Sequence, residues 1–389
     1  MMSLKKIILF LALSPTSLLA EEEKPNVLFL AVDDMRAWVN CMNNDYPGKI
    51  HTPNIDRLAR QGRLFTNAHV PAPMCGPCRA SILTGQRPST LGIYSNHQWV
   101  HPNLPDLVTL PKHFKTNGYH VVSAGKIAHH TAGFTPPDEW HDFQEVDWED
   151  PWDRPLSAYP NKKKIARPNP HPISGLKTRR HEFDWGSLPK GYDYHDPKSS
   201  DYAIKFLTDY KSDKPFFLGC GMFRPHLPWY APKKYFDLYP LDEIKMPSGL
   251  KDDDLNDIPK AGQKISKSQD YQTILKSKKY KESIQAYLAS ISFADAQIGR
   301  VLDALEKSPH AKNTIIVLWS DHGWHHGEKN HWHKWTLWED ATRIPFIIAG
   351  PGVKQAGRST DAPVSALSLY PTLVDLCHLP KTKHTLDEP

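Results

Sequence analysis

This sequence predicts an α/β protein with a large, mostly parallel central sheet flanked by helices. Three observations carry the prediction. Residues 26–32 (Asn-Val-Leu-Phe-Leu-Ala-Val) and 314–319 (Thr-Ile-Ile-Val-Leu-Trp) are unbroken apolar runs with β-branched residues, as expected of strands buried on both faces. Strand-like runs alternate with segments of helical period. Both apolar runs end in polar residues, Asp33-Asp34 and Ser320-Asp321-His322, as expected where a parallel sheet collects functional groups along its carboxyl edge.

The elements follow in order. After the first strand, residues 51–59 read as a capped helix start, with Thr52 ahead of Pro53. Residues 110–117 read as a helix stopped by Gly118, and 119–124 as a second strand leading into Gly125-Lys126. A third strand is expected at 214–219. Residues 280–305 keep a long helical period before the strand at 314–319, and a later strand at 345–349 precedes the Gly350-Pro351-Gly352 turn. Between about 140 and 197 the chain is rich in Pro, His, Trp and Lys with little periodicity, which reads as a long ordered insertion. Its basic tract, Lys162-Lys163-Lys164 through Arg179-Arg180-His181, reads first as a solvated loop and second as a border for an anionic substrate. No internal repeat is apparent.

The chain has 389 residues, 39% hydrophobic and 23% charged, which suits a globular enzyme with one large core. A net charge of +5 favours polyanionic substrates, but no basic-plus-aromatic nucleic-acid module accompanies it, so no nucleic-acid partner is expected. Residues 1–20 place Lys5 and Lys6 before a short apolar stretch and small residues. This is the order of a secretory signal, too short for a stable membrane span, so the mature chain is expected to start near Glu21 and to be secreted or periplasmic. The catalytic domain is then 25–389. Five cysteines argue against a disulfide scaffold and leave up to two pairs open.

The chemistry-bearing stretch is Cys75-Gly76-Pro77-Cys78-Arg79, followed by Leu83-Thr84-Gly85 and Arg87. Tandem acids such as Asp33-Asp34 repel each other without a cation nearby, although an Asp pair after a strand also fits a helix cap. With Asp321-His322 in the same chain, a hard divalent cation becomes the better reading.

The Cys-x-Pro-x-Arg pattern resembles the signature of the sulfatase family, formylglycine-dependent members of the alkaline-phosphatase-like superfamily. Residues 26–36, 52–59, 74–87, 125–129, 224–228 and 320–334 are most similar to iduronate-2-sulfatase and its bacterial relatives. The resemblance implies that a maturation enzyme oxidises Cys75 to formylglycine. It also implies that Asp33, Asp34, Asp321 and His322 bind calcium together with the oxidised Cys75. Arg79 would hold the formylglycine hydrate and polarise the sulfate; the alternative is a structural arginine closing a helical turn. Lys126 and Lys334 would contact sulfate, and His129 would orient or deprotonate the hydrate. His226 would face the leaving oxygen as the preferred proton donor, with Lys334 as the alternative.

Two features depart from the family pattern. Cys78 occupies a place usually held by a small residue. After 369–376 only a short polar tail reaches Pro389, so the usual antiparallel C-terminal subdomain is expected to be truncated or absent. The His-rich run 324–333 lacks the His-Glu-x-x-His order of a zinc site, and His130, His325, His326, His331 and His333 receive no role. Residues 94–101 lie where iduronate-type enzymes face substrate, so the expected substrate is a sulfated carbohydrate, with a 2-O-sulfated uronate as one form. The competing readings are a phosphoester or phosphonate monoester hydrolase and a non-catalytic carbohydrate-binding protein whose Cys75 stays a thiol. Oligomeric state is not legible.

Overall fold

The computed structural model describes residues 24–42, 45–98, 100, 103–129, 137–144, 172–178, 183–188, 194–251, 253–266 and 268–388. The expected leader 1–20, the basic tracts 162–164 and 179–181, Trp99, His101 and His130 lie outside the described residues.

Strand β1 (Asn26–Val32) sits near the middle of the main sheet because both of its faces are apolar. Leu28, Leu30 and Val32 point into one core layer, and Val27, Phe29 and Ala31 into the other. Helix α1 (Pro53–Gln61) follows, then β2 (Arg63–His69), α2 (Cys75–Thr84), α3 (Leu110–Thr116), β3 (His120–Gly125) and β4 (Asp142–Gln144). Beyond these come β5 (Trp185–Ser187), α4 (His195–Asp209), β6 (Phe216–Met222), β7 (Trp229–Ala231), α5 (Gln269–Ser277) and α6 (Tyr280–Lys307). The C-terminal part adds β8 (Thr314–Ser320), β9 (His325–His326), β10 (Trp332–His333), β11 (Arg343–Ala349), β12 (Ser359–Thr360), β13 (Val364–Ser365) and α7 (Leu369–Leu376).

The main sheet runs β12-β2-β11-β8-β1-β6-β3-β4, with β13 also on β2. All its pairings are parallel except those of β11, which is antiparallel to both β8 and β2. Helices α1, α4 and α6 supply the core on one face, and α2, α3 and α7 the core on the other. Among the described residues no helix is long and apolar enough to cross a membrane.

The structure corrects several local readings. The late strand begins at Arg343 rather than 345. Strand β2 has no apolar run to announce it, because only Leu64 and Ala68 of its seven residues are buried. At the ends of the expected insertion, β4 joins the main sheet beside β3, and α4 starts at His195. Thr52 makes no capping bond to α1. Asp295 of α6 caps that helix from a distance instead, accepting from the amides of Asn54 (3.1 Å) and Ile55 (2.8 Å). All five cysteines are free thiols.

Candidate active site

Three parallel strands, β1, β8 and β3, deliver their next residues to one place. The amide of Asp33 donates to Met222 O (3.1 Å) and that of Asp321 to Val32 O (3.2 Å), so the sheet ladder carries both aspartates one step past their strands. Asp34 adopts a left-handed backbone (φ +60°). Its carbonyl accepts from the Tyr287 hydroxyl (2.7 Å) and its amide donates to Asp321 Oδ1 (3.0 Å), which together hold the turn. Lys126 follows β3 through Gly125 (φ +75°), where a Cβ would lie 2.0 Å from Gly221 O. A Cβ on Gly221 would likewise meet the Lys126 backbone at 2.3 Å. Two glycines therefore allow the lysine turn to cross β6 closely.

Cys75 is the first residue of α2. The next amide, Gly76 N, donates to the Asn96 side chain (2.8 Å), and any side chain at 76 would collide with Asn96. The loop 92–98 is itself held by Gln98, whose side chain accepts from the amides of Tyr94 and Ser95 and donates to Gly92 O. The Cys75 thiol lies 3.2 Å from His322 Nε2 and 3.2 Å from Lys334 Nζ. Burial, then the charge of Asp33, push its pKa well above the usual thiol range, so it is not a ready thiolate.

Three carboxylates (Asp33, Asp34, Asp321) and three cations (Arg79, Lys126, Lys334) are buried together. Lys126 pairs with Asp33, and Lys334 with Asp34. Arg79 Nε donates to Asp321 Oδ2 at 2.8 Å; Nη1 donates to the carbonyls of Lys126 and Ile127, and Nη2 faces Asp33 and Val32 O. Every nitrogen of Arg79 is thus engaged in aligning Asp33, Asp321 and the Lys126 turn. Burial, followed by the repulsion of Asp33 and Asp321, lifts Asp34 to about 7 despite Lys334.

The donor set fits a divalent cation. His322 Nδ1 faces the Gly323 carbonyl at 3.1 Å, so it carries the proton and leaves the Nε2 lone pair inward. Burial lowers the ring's pKa to about 4, keeping it neutral. That lone pair faces Asp34 Oδ1 at 3.3 Å and Asp321 Oδ1 at 3.6 Å, an arrangement of electron-rich atoms that repels without a cation between them. Asp34 Oδ2 is buried with no hydrogen-bond partner. Asp33, Cys75, Asp321 and His322 can all reach one ion, as can Asp33, Asp34, Cys75 and His226.

The structure brings together Asp33, Asp34, Cys75, Arg79, Lys126, His226, Asp321, His322 and Lys334. His226 Nε2 stands 3.9 Å from Asp34 Oδ2, while its Nδ1 donates to Leu227 O at 2.6 Å. His129 is buried and lines a small cavity of about 30 Å³ with Gly76, Glu139 and Trp140. His325, Glu328 and Asp340 also cluster, but Arg36 bridges the two carboxylates, so this group is an ion-pair network. Sequence reasoning missed the supports. Tyr287 holds the Asp34 turn, and Asp196 accepts from the amides of Phe223 (2.7 Å) and Arg224 (3.1 Å) beneath His226. Only Arg224, within the Arg-Pro-His-Leu-Pro run, carried a signal.

A helix-borne Cys75 above a parallel sheet, facing acids and an imidazole arranged for a cation, defines a hydrolase with the alkaline-phosphatase-like fold. The sulfatase family profile matches residues 25–379, and the chain belongs to that family; it is a sulfuric ester hydrolase. It is 43% identical over 375 residues to a sulfatase of Formosa agariphila, covering 92% of this chain and 70% of that protein. It is 32% identical over 391 residues to mouse iduronate 2-sulfatase, covering 91% and 69%. The fold resembles a solved 2-O GAG sulfatase (24% identity, TM-score 0.65, 93% of this chain and 72% of that one). It also resembles the phosphonate monoester hydrolase of Agrobacterium radiobacter (20%, TM-score 0.71, 92% and 74%).

Proposed function

We propose that this sulfatase is exported through the leader at 1–20 and that its catalytic domain (25–389) removes sulfate from a sulfated carbohydrate, in the manner of iduronate-2-sulfatase. It would use formylglycine made from Cys75 by a maturation enzyme, and a calcium ion. The observation that carries the reading is the Cys75 side chain held within 3.2 Å of both His322 Nε2 and Lys334 Nζ, above three buried carboxylates. The carbohydrate class is supported by the relatives' names and by aromatic side chains exposed near the centre. Trp335 (42% exposed) follows Lys334, and Tyr94 (61%) lies on the loop tied to the Cys75 helix.

Asp33, Asp34, Asp321 and His322 would hold the calcium, with the oxidised Cys75. Calcium would neutralise the crowded carboxylates and turn a balanced centre into one that attracts a sulfate monoester. Formylglycine would supply, as its hydrate, an oxygen nucleophile that releases sulfate by returning to the aldehyde. Arg79, fixed on Asp321 and Asp33, would also hold the hydrate and polarise the sulfate. Lys126 and Lys334 would turn their ammonium groups from carboxylate to sulfate oxygens. His129 would take a proton on the buried side of the nucleophile.

His226 presents an unprotonated Nε2 to the site, because its Nδ1 proton is held by Leu227 O. Burial and the Lys334 ammonium keep the ring neutral, so it donates to a leaving oxygen only after gaining a proton. Lys334 enters the reaction protonated, because Asp34 and the other acidic groups around it together outweigh the burial of its ammonium. This favours Lys334 as the donor and His226 as the group that receives and returns a proton at Nε2.

The test is peptide mass analysis of chain produced with a maturation enzyme, followed by sulfate release from a panel of sulfated glycans. Formylglycine is about 18 mass units lighter than Cys. A modified Cys75 with glycan desulfation supports the proposal; an intact thiol without turnover favours the carbohydrate-binding reading. Faster hydrolysis of aryl phosphate or phosphonate than of aryl sulfate favours the phosphorus-ester reading.

A further inference from the structure

Four non-glycine residues within seven positions have left-handed backbones: Lys329 (φ +56°), Asn330 (+51°), His333 (+80°) and Trp335 (+72°). Such a concentration of unfavourable conformations persists only where surrounding contacts impose it. Residues 327–335 are pinned from outside by Arg36 on Glu328, by Pro73 on the Trp335 amide, and by two further acids. Asp254 accepts from the Lys329 amide (2.8 Å) and its ammonium (2.5 Å). Asp270, in the first turn of α5, meets His333 Nε2 at 2.5 Å.

Inside the segment, His331 Nε2 donates to the Lys334 carbonyl at 2.8 Å; the Trp335 amide donates outward to Pro73 O at 3.2 Å, two residues before Cys75. The His333 ring packs edge-on against Trp324 with centroids 4.7 Å apart. The residue so enclosed is Lys334, whose ammonium reaches Asp34 and the Cys75 thiol. Glycine would adopt the backbone of 333 without cost, yet could not reach Asp270.

We propose that the Asp270–His333 contact is a positioning device for Lys334: it holds residue 333 in its left-handed conformation so that the next side chain enters the catalytic centre beside Cys75. This rests on the reading of Lys334 as a sulfate ligand. A residue placed about 1 Å off in such a centre costs up to about a hundredfold in rate, so a slackened clamp has a large readout.

The experiment compares His333→Gly, Asp270→Ala, the double variant and Lys334→Ala. The dissociation constant for inorganic sulfate is measured by calorimetry on calcium-loaded protein, alongside thermal midpoint and, for matured enzyme, kcat and KM. Each single variant is expected to weaken sulfate binding roughly tenfold, and the double variant no further, because both act through one contact. His333→Gly relieves the left-handed backbone but loses the ring's packing on Trp324, so its thermal midpoint should differ from that of Asp270→Ala while both lose sulfate binding equally, a combination that a merely structural histidine does not produce. Single variants that bind sulfate like wild type, or losses that multiply in the double variant, overturn the clamp. Lys334→Ala tells the two failures apart. Weak sulfate binding in that variant with normal binding in the singles sinks the clamp alone; normal binding in all of them removes the assignment of Lys334 as well.

Discussion

The body of the sheet and its carboxyl edge are one residue apart and follow opposite rules. Within β1, β6 and β8 the register is unbroken, from Val27 opposite Phe217 to Val32 opposite Met222, and every β1 residue is buried. Phe29 packs between Phe217 (centroids 5.4 Å) and Trp319 (5.6 Å). One step on, Asp33, Asp34, Asp321, His322 and Lys126 are equally buried but polar or charged. Removing apolar surface from water stabilises the first region; the same burial disfavours every charge in the second. The edge keeps its geometry because the hydrogen-bond ladder beneath it does not yield, which is how a rigid scaffold carries a self-repelling site.

The sharpest way to break this contrast is Cys75→Ala. Turnover should fall by roughly 10⁴-fold or more, with thermal unfolding nearly unchanged, since the edge contributes chemistry and not cohesion. Residual activity in a matured sample would erase the distinction. Phe29→Ala is the mirror experiment. It should lower unfolding free energy by about 3–5 kcal/mol in denaturant titrations while the folded fraction keeps its kcat.

A third, smaller effect concerns the cation. Calcium at a hundred times its dissociation constant should raise wild-type stability by about 2.7 kcal/mol, and Asp34→Asn should lose most of that gain in parallel thermal scans. Equal calcium shifts in both proteins would remove Asp34 from the ligand set.

The smallest effect is in pH. Asp196, buried beneath the His226 loop, is raised to about 7 by its burial. A carboxyl raised in the fold stabilises it fully below the ordinary value near 4, and that contribution disappears as pH climbs through 7. Urea titrations of metal-free protein should therefore show a loss on the order of 2 kcal/mol between pH 5 and 8, and Asp196→Asn should flatten it. A rise over that interval attributable to Asp196 would contradict the assignment.

Much of the molecule was legible before any coordinates. The apolar runs at β1 and β8 declare buried parallel strands because both faces must be filled, and they place Asp33-Asp34 and Asp321-His322 at the functional edge. The spacing from Cys75 to Arg79 marks the sulfatase signature, which begins helix α2. Local patterns carry such features because period and turn chemistry are local. Strand β2 escaped notice because most of its residues are only half-buried, so its place between β11 and β12 is set by its neighbours. The reversed direction of β11 escaped for the same reason, as did the use of Asp295 in place of Thr52 to cap α1.

The roles inside the centre divide in the same way. Sequence alone determined which side chains are present at the carboxyl edge and that they belong to a sulfatase. Only the tertiary structure decided what each one faces: Arg79 turned onto Asp33 and Asp321, His226 with its proton held by Leu227, and Lys334 delivered by a segment anchored to Asp254 and Asp270. The physical reason is that orientation and protonation depend on contacts between residues up to hundreds of positions apart, brought within 3 to 4 Å by packing that no short stretch of chain encodes.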